Sequence, residues 1–211
     1  MKRKMMKNLK MKQTNPKTIS KTFLQLANQA SHCRLCHALA DQPAVLSSKN
    51  GNLNANIVFV AEAPGRFGAG RTGIPFYGDK SGDNFETLLS YIELSRDEVF
   101  ITNAVLCNPI EHGNNRRPKT SEIKNCSSFL KKTLAIIRPQ VVVTLGSVGL
   151  QAINLLLGTR YQLNKEVAKK LVTPDFILVP LYHPSPRVTN WMRPLSQQKK
   201  DFKKIPRQTD I

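Results

Sequence analysis

Four short apolar runs, separated by longer polar segments, form the main pattern of the chain. They lie at residues 57–61 (IVFVA), 99–105 (VFITNAV), 140–145 (QVVVTL) and 176–182 (FILVPLY). A continuous apolar run of this length is typical of a strand that is buried on both faces, as in a parallel sheet covered by helices. We therefore predict four buried strands.

Segments with helical character alternate with these runs. They lie near residues 83–94, 120–137, 147–157 and 194–204. Upstream of the first run, Ser20 is expected to cap a helix that passes through residues 23–27 and leads to Cys33. The alternation of apolar strands and helices predicts an α/β fold, a three-layer αβα sandwich around a four-stranded, mainly parallel sheet.

The first 17 residues differ from the rest of the chain, because they carry seven basic residues and no acidic one. We expect this basic tail to be disordered until it meets an anion. Residues 18–211 show no internal repeat and no second domain. A chain of 211 residues with 40% hydrophobic content is long enough to bury the core of one domain.

The charge balance indicates a polyanionic partner. The net charge is +18 and the pI is about 10.1, which fits nucleic acid or an anionic membrane surface. No apolar stretch is long enough to span a membrane, and no hydrophobic run follows the charged N-terminus as it would in a secretory signal. We expect a soluble, cytoplasmic protein.

Four cysteines are candidates for metal ligands, because thiols in a reducing compartment seldom form disulfides. Cys33 and Cys36 form a C-x2-C pair, and Cys107 and Cys126 have 18 residues between them. Such spacing suits either one tetrahedral zinc or one iron–sulfur cluster, and four unrelated thiols are the alternative. Three nearby histidines are expected to be surface residues: His32, His37 and His112.

The segment after the first apolar run is a candidate ligand-binding loop. It is too polar for a core and too rich in glycine for a helix. Its first residue is a carboxylate, Glu62, and it carries an aromatic ring, Phe76, between Pro75 and Tyr77. Ligands of open α/β sheets bind at the carboxyl ends of the strands, so we expect the chemistry here.

Two more polar residues end predicted strands. Asn103 closes the second run, and His183 follows the fourth run in the sequence HPSP, where proline fixes the loop. An isolated asparagine or histidine at such a position is more often structural. One parallel sheet, however, brings Glu62, Asn103 and His183 to a single rim, which favours a functional site.

At these residues the sequence resembles the uracil-DNA glycosylase superfamily, from Cys33 to about Lys204. The segments AEAPG at 61–65, TGIPFYG at 72–78 and HPS at 183–185 resemble motifs of family 4, the iron–sulfur enzymes. The segments ITNAVLCNP and NNRRPKTSEIKNC resemble two more of its motifs. Some features differ: Ala61 replaces a glycine, Arg66 and Phe67 replace acidic residues, and GDKSGD is similar to family 5.

This resemblance implies a monomeric DNA-repair glycosylase that flips uracil out of DNA and hydrolyses its N-glycosidic bond. It implies a 4Fe–4S cluster, with zinc as the alternative cofactor. The implied residues are Glu62 and His183 for catalysis, Ala61, Ala63, Gly65, Phe76 and Asn103 for uracil, Cys33, Cys36, Cys107 and Cys126 for the metal, and Ser185 and Arg187 for DNA. Arg187 also occupies the position where related enzymes carry a wedge residue.

Two other functions fit part of the pattern. A non-catalytic iron–sulfur protein that binds nucleic acid would explain the charge, but it leaves the convergence of Glu62, Asn103 and His183 without a role. A redox or regulatory iron–sulfur protein would explain the cysteines and would release no base. Assaying a uracil-containing oligonucleotide separates these functions from a glycosylase.

Overall fold

The computed structural model describes residues 16–207 and consists of a twisted sheet between two layers of helices. The sheet has five strands in the order β2-β1-β5-β7-β6. Its strands are β1 (Ile57–Ala61), β2 (Val99–Asn103), β5 (Val141–Leu145), β6 (Leu171–Val172) and β7 (Ile177–Leu181). Neighbouring pairs are parallel except β6, which is antiparallel to β7.

Helices connect and cover these strands. Their bounds are α1 (Pro16–Ser31), α2 (Ala69–Thr72), α3 (Lys80–Tyr91), α4 (Thr120–Ile137), α5 (Ser147–Leu157), α6 (Leu163–Glu166), α7 (Pro186–Trp191) and α8 (Leu195–Phe202). A small hairpin of β3 (Ile110–Glu111) and β4 (Asn114–Asn115) interrupts the segment before α4. None of the helices in residues 16–207 is both long and apolar enough to cross a membrane.

Strand β1 shows why the apolar runs become central strands. Its side chains alternate between two cores: Val58 packs with α1, α4 and α5, whereas Phe59 packs with α3 and α8. Phe59 meets Phe85 edge-on with ring centroids 5.2 Å apart, a geometry that aromatic pairs favour. Both faces of the strand are therefore apolar, as its sequence predicts.

The connections place a crevice between β1 and β5. From β1 the chain passes to β2 on one side, and after α4 it crosses to β5 on the other side. In open α/β sheets a ligand binds at such a reversal, outside the carboxyl ends of the strands. Gly149 of α5 lets this helix approach β1, since a Cβ at that position would lie 2.3 Å from the carbonyl oxygen of Val60.

The α/β class and the four predicted strands are confirmed, with a fifth strand added. Strand β6 has two residues, too few to leave a pattern in the sequence. The loop predicted to be too rich in glycine for a helix contains the single turn α2. Ser20 lies inside α1 rather than at its cap, and the helix includes Pro16 and Lys17 from the predicted tail. The first 15 residues of that tail lie outside the described residues.

Candidate functional site

Asn103 and Glu62 are neighbours across the carboxyl ends of β1 and β2. Ala61 pairs with Asn103 in the parallel register, and the ladder continues as Val105 N–H donates to the carbonyl oxygen of Glu62 at 3.1 Å. Asn103 is only 4% exposed, and within residues 16–207 its Nδ2 has no hydrogen-bond partner. An unpaired buried amide costs about 1–3 kcal/mol, so its presence at this rim indicates a role in binding a ligand.

Two rings from distant parts of the chain meet beside this rim. Phe76 and His183 have ring centroids 5.3 Å apart and are tilted by 36°. Phe76 also stacks on Phe85, with ring centroids 4.6 Å apart. The loop after β1 and the loop after β7 thereby meet, and Glu62, Asn103 and His183 all follow strand ends on this edge of the sheet.

The backbone of Phe76 is held in a left-handed conformation, with φ of 50°, which is costly for a bulky residue. The guanidinium of Arg96 donates to the carbonyl oxygens of Pro75 and Phe76 and pairs with Glu86 at 2.6 Å. Gly82 is required on the other side, because a Cβ there would lie 2.6 Å from the oxygen of Phe76. These contacts fix the ring in place.

His183 is held as a neutral imidazole. Its Nδ1 accepts a hydrogen bond from the backbone N–H of Ser185 at 3.1 Å, which assigns the ring proton to Nε2. Burial lowers the pKa of His183 to about 4, against the opposing charge of Asp79. The loop is secured by the buried Asn84, whose Nδ2 donates to the carbonyl oxygen of Pro184 at 2.8 Å.

Glu62 responds to burial in the opposite direction. Its side chain is half-buried, and the loss of solvation raises the pKa of this carboxyl above its usual value. The positive charge of Arg117 counteracts this shift. Arg117 is exposed, and its guanidinium donates at 3.3 Å to the hydroxyl of Ser147, the first residue of α5.

The remaining predicted site residues occupy different surroundings. Ala61 is buried at the end of β1, whereas Ala63 and Gly65 are half-buried in the following turn. Ser185 begins α7, and Arg187 lies exposed on that helix.

Asp79 is a site residue that the sequence analysis missed. It caps α3 by accepting from Gly82 N–H at 2.9 Å, and a Cβ at Gly68 would lie 2.4 Å from its carboxylate. Its charge raises the pKa of His183. The available signal was the Asp-x-x-Gly spacing just before a helix, which is typical of a cap, but α3 was expected to begin at residue 83.

All four cysteines line one cavity. Its walls include Cys33 and Cys36 after α1, Cys107 after β2 and Cys126 on α4. The four are free thiols and half-buried. The three histidines expected at the surface are exposed: His32, His37 and His112.

Apart from the four sulfurs and Asn125, the cavity is lined by apolar residues. Burial raises the pKa of Cys107 to about 11 and that of Cys126 to about 12, so thiolates here need a compensating cation. Leu106 N–H donates to the sulfur of Cys126 at 3.3 Å, an interaction that tunes cluster sulfurs. In the described part of the chain, no three cysteine, histidine or carboxylate side chains form a set that could hold a single metal ion.

Comparison with known proteins agrees with this geometry. Residues 48–208 match the family model described as the uracil DNA glycosylase superfamily. A type-4 uracil-DNA glycosylase of Sulfurisphaera tokodaii is 35% identical over 161 residues, which cover 74% of this chain and 70% of the relative. The type-4 enzyme of Archaeoglobus fulgidus is 35% identical over 160 residues, 74% of this chain and 77% of the relative. A type-5 enzyme of Pyrobaculum aerophilum is 35% identical over 153 residues, 66% of each chain.

Proposed function

The chain belongs to the uracil DNA glycosylase superfamily, and on that premise we propose that it is a repair enzyme that removes uracil from DNA. The observation that carries the proposal is the buried amide of Asn103, whose Nδ2 has no partner within residues 16–207, at the edge of the sheet where β1 ends at Glu62. A base inside a duplex is out of reach, so the nucleotide is flipped into this pocket. The net charge of +18 supports binding of the DNA backbone.

Phe76 and Asn103 recognise the base. Phe76 offers one face to the pocket while its other face is supported by Phe85, and stacking on an aromatic ring contributes about 1–3 kcal/mol per base. The Nδ2 of Asn103 donates to O4 of uracil, and its Oδ1 accepts from N3–H. Cytosine presents the opposite pattern at these two positions and is rejected. Turn residues Ala63 and Gly65, with Ala61 at the strand end, line the approach to the base.

His183 and Glu62 carry the chemistry. As the C1′–N1 bond breaks, its electron pair moves onto the base and positive charge develops on the sugar. The Nε2–H of His183 donates to O2 of the departing uracil anion, a stabilisation on the order of 3–4 kcal/mol. Glu62 accepts a proton from the attacking water, whose oxygen bonds to C1′, and its carboxylate stabilises the sugar cation. The base leaves as the anion and takes up a proton from solvent, Glu62 releases its proton to solvent, and an abasic site remains.

We propose that the four cysteines hold a 4Fe–4S cluster. When bound, the cluster supplies structural support, since hydrolysis has no redox step. The shared cavity and the four free thiols support this assignment. Their ligation would join the segment after α1 to the loop after β2 and to α4. Free, half-buried thiols also fit the reducing cytoplasm as the compartment.

A single-turnover assay tests the proposed function. The purified protein is incubated with oligonucleotides that carry one uracil, thymine or cytosine, and abasic sites are revealed by alkali. We expect cleavage at uracil, and a much lower rate with Glu62→Gln although that variant still binds the substrate. Glu166→Gln, at a carboxylate that pairs with Lys169, is the matched control with unchanged rate. Binding without any base release by the wild-type protein would instead identify a non-catalytic relative.

A further inference from the structure

Helix α7 ends in an exposed apolar pair. Trp191 is 84% exposed and Met192 is 64% exposed, and Trp191 is the single tryptophan of the chain. Isolated surface apolar residues are common, but two large adjacent ones in water mark an interaction site. A tryptophan with both faces accessible is suited to stacking on another flat ring.

Helix α7 connects the pair to His183. Its N-cap residue, Ser185, donates its backbone N–H to Nδ1 of His183. A helix rises about 1.5 Å per residue, so the backbone of Trp191 lies roughly 9 Å along the helix from that of Ser185. Nucleotides follow one another at about 3.4 Å along each strand of a duplex, so this separation is the length of about three nucleotides.

The segment that carries Trp191 and Met192 is held in place by several contacts. Immediately after it, the guanidinium of Arg193 makes a two-point ion pair with the buried carboxylate of Asp201 on α8. The carbonyl oxygen of Arg193 accepts from Gln198 Nε2 at 3.0 Å. The same guanidinium lies 5.4 Å from the ring centre of Tyr182, next to His183. The indole is thus exposed on a fixed support, which lowers the entropy cost of binding.

The charge beside the indole fits a nucleic-acid strand. Arg187 is exposed and precedes Trp191 by four residues, so both lie on the same face of α7. A second arginine–aromatic pair lies in the loop after β1, where Arg66 lies 4.2 Å from the ring centre of the exposed Phe67. An alternation of cations and aromatic rings suits the phosphates and bases of a single strand.

We propose that Trp191 is a stacking platform for an unpaired base next to the flipped nucleotide, and that Arg187 binds the adjoining phosphate. The proposal rests on the proposed function of the pocket, because it takes its substrate to be the DNA strand that enters there. It adds a binding subsite on α7 to the base pocket and assigns the recognition of flanking nucleotides to an aromatic ring.

The single tryptophan makes a direct test possible. Intrinsic fluorescence is titrated with a single-stranded oligonucleotide that carries one 2′-fluoro-2′-deoxyuridine, which resists cleavage. We expect quenching of the emission on binding, because the indole stacks on a base. The same titration with a strand that holds an abasic gap in place of the base on each side of the uracil analogue should quench much less. Full binding without quenching would overturn the proposal.

Variants supply the second test. Trp191→Ala should raise the apparent dissociation constant and the KM for a single-stranded uracil substrate by about tenfold, the scale of one lost stacking contact. The saturated single-turnover rate should stay unchanged, and Trp191→Phe should restore most of the affinity. Tyr91→Ala is the matched control: this exposed ring also lies under cations, Lys199 and Lys203, but at the opposite end of the sheet beside Ile57.

The two failures are distinguishable. Quenching of Trp191 by DNA in a protein that releases no uracil would contradict the proposed function and leave the platform in place. Uracil release with wild-type KM in Trp191→Ala, and no quenching, would overturn the platform and leave the proposed function intact.

Discussion

Glu62 and His183 both follow strands at the carboxyl edge of the sheet, and burial shifts the pKa of each towards its neutral form. For His183 this is the form that the proposed mechanism requires, since a neutral ring with its proton on Nε2 donates to the leaving base. For Glu62 the neutral form is inactive, because only the carboxylate accepts a proton from water. The charge of Arg117 partly restores the carboxylate by lowering its pKa, so an exposed arginine contributes to the chemistry through another residue.

This balance predicts how the rate depends on pH. The rate should fall as pH decreases through the raised pKa of Glu62. Arg117→Gln removes a charge that lowers this pKa, so the acidic limb should move to higher pH. His183, with a pKa of about 4, stays neutral over most of that range and does not mask the shift.

Single-turnover rates from about pH 4 to about pH 9 measure the effect at saturating enzyme. Arg160→Gln, at an exposed arginine after α5, is the control with an unshifted limb. If the rate falls at the same acidic pH in Arg117→Gln and in the wild-type protein, Arg117 does not act on Glu62.

The donor role of His183 makes a separate prediction. His183→Ala should slow base release by about 100-fold or more at saturating enzyme, because the developing charge on O2 loses its donor. Thermal unfolding of the variant serves as the control for folding. A wild-type rate in a folded variant would show that His183 is not the donor to O2.

The location of a residue was predictable where the residue ends a strand. The placement of Glu62, Asn103 and His183 at one edge of the sheet could be predicted, because it follows from the pattern of apolar runs and one parallel sheet. Asp79 and Arg96 could not, since their roles depend on the path of a long loop that no periodicity describes. The same is true of the left-handed backbone of Phe76, which only the surrounding contacts enforce.

At the scale of elements, the long periodic segments were predicted well. Helix α4 was expected at residues 120–137 and is found at Thr120–Ile137. The short elements α2, α7 and β6 were missed, because two to six residues cannot establish a period. These elements are held by contacts with the rest of the fold, and α7 carries part of the proposed DNA surface.

The start of α4 depends on a buried ion pair that neither cap signal nor periodicity revealed. Arg116 makes a two-point contact with Glu122, whose side chain is 6% exposed, and Lys119 N–H donates to the same carboxylate at 2.7 Å. These partners lower the pKa of Glu122. The pair ties the loop that carries Arg117 to the helix that carries Cys126.

Removing this charge should therefore destabilise the protein. Glu122→Gln should reduce the free energy of unfolding by about 3–5 kcal/mol near neutral pH, because it leaves Arg116 buried without a counter-charge. The lowered pKa means that this stabilisation is present above the unfolded carboxyl pKa of about 4.3 and is lost as pH falls through the folded value. In Glu122→Gln, the free energy of unfolding should therefore fall less between neutral and acidic pH than it does in the wild-type protein.

Chemical denaturation at neutral and acidic pH checks both statements. Asp83→Asn is the matched control, since Asp83 pairs with Lys80 on the surface with both side chains 68% exposed. Exposed pairs contribute about 1 kcal/mol or less. Equal effects of the two substitutions would contradict the assigned role of the buried pair.

At the scale of the whole molecule, the base pocket and the cysteine cavity share one connection. The segment from Asn103 to Cys107 leads directly from the pocket to the cavity. A cluster in that cavity would fix this segment and, through α4, the loop that carries Arg117. The cysteine pattern alone left zinc and iron–sulfur open, because ligand spacing does not encode the size of the group that is bound.

Metal analysis separates these cofactors. Protein purified without oxygen should be brown and contain about four iron atoms per chain with matching sulfide. Cys36→Ala should lower the yield of folded protein more than it changes the rate of the protein that survives. Stoichiometric zinc without iron would contradict the cluster.

Recognition of uracil by the amide of Asn103 is the basis of the proposed function, and the substitution Asn103→Asp tests it. The substitution is nearly isosteric, but an ionised carboxylate has no donor for O4, so uracil release should fall by about 100-fold or more. A protonated Asp can donate to N3 of cytosine and accept from its N4 amine, and burial favours that form. We expect the ratio of uracil to cytosine release on matched oligonucleotides to fall steeply, most of all at low pH. An unchanged ratio would show that Asn103 does not read the base.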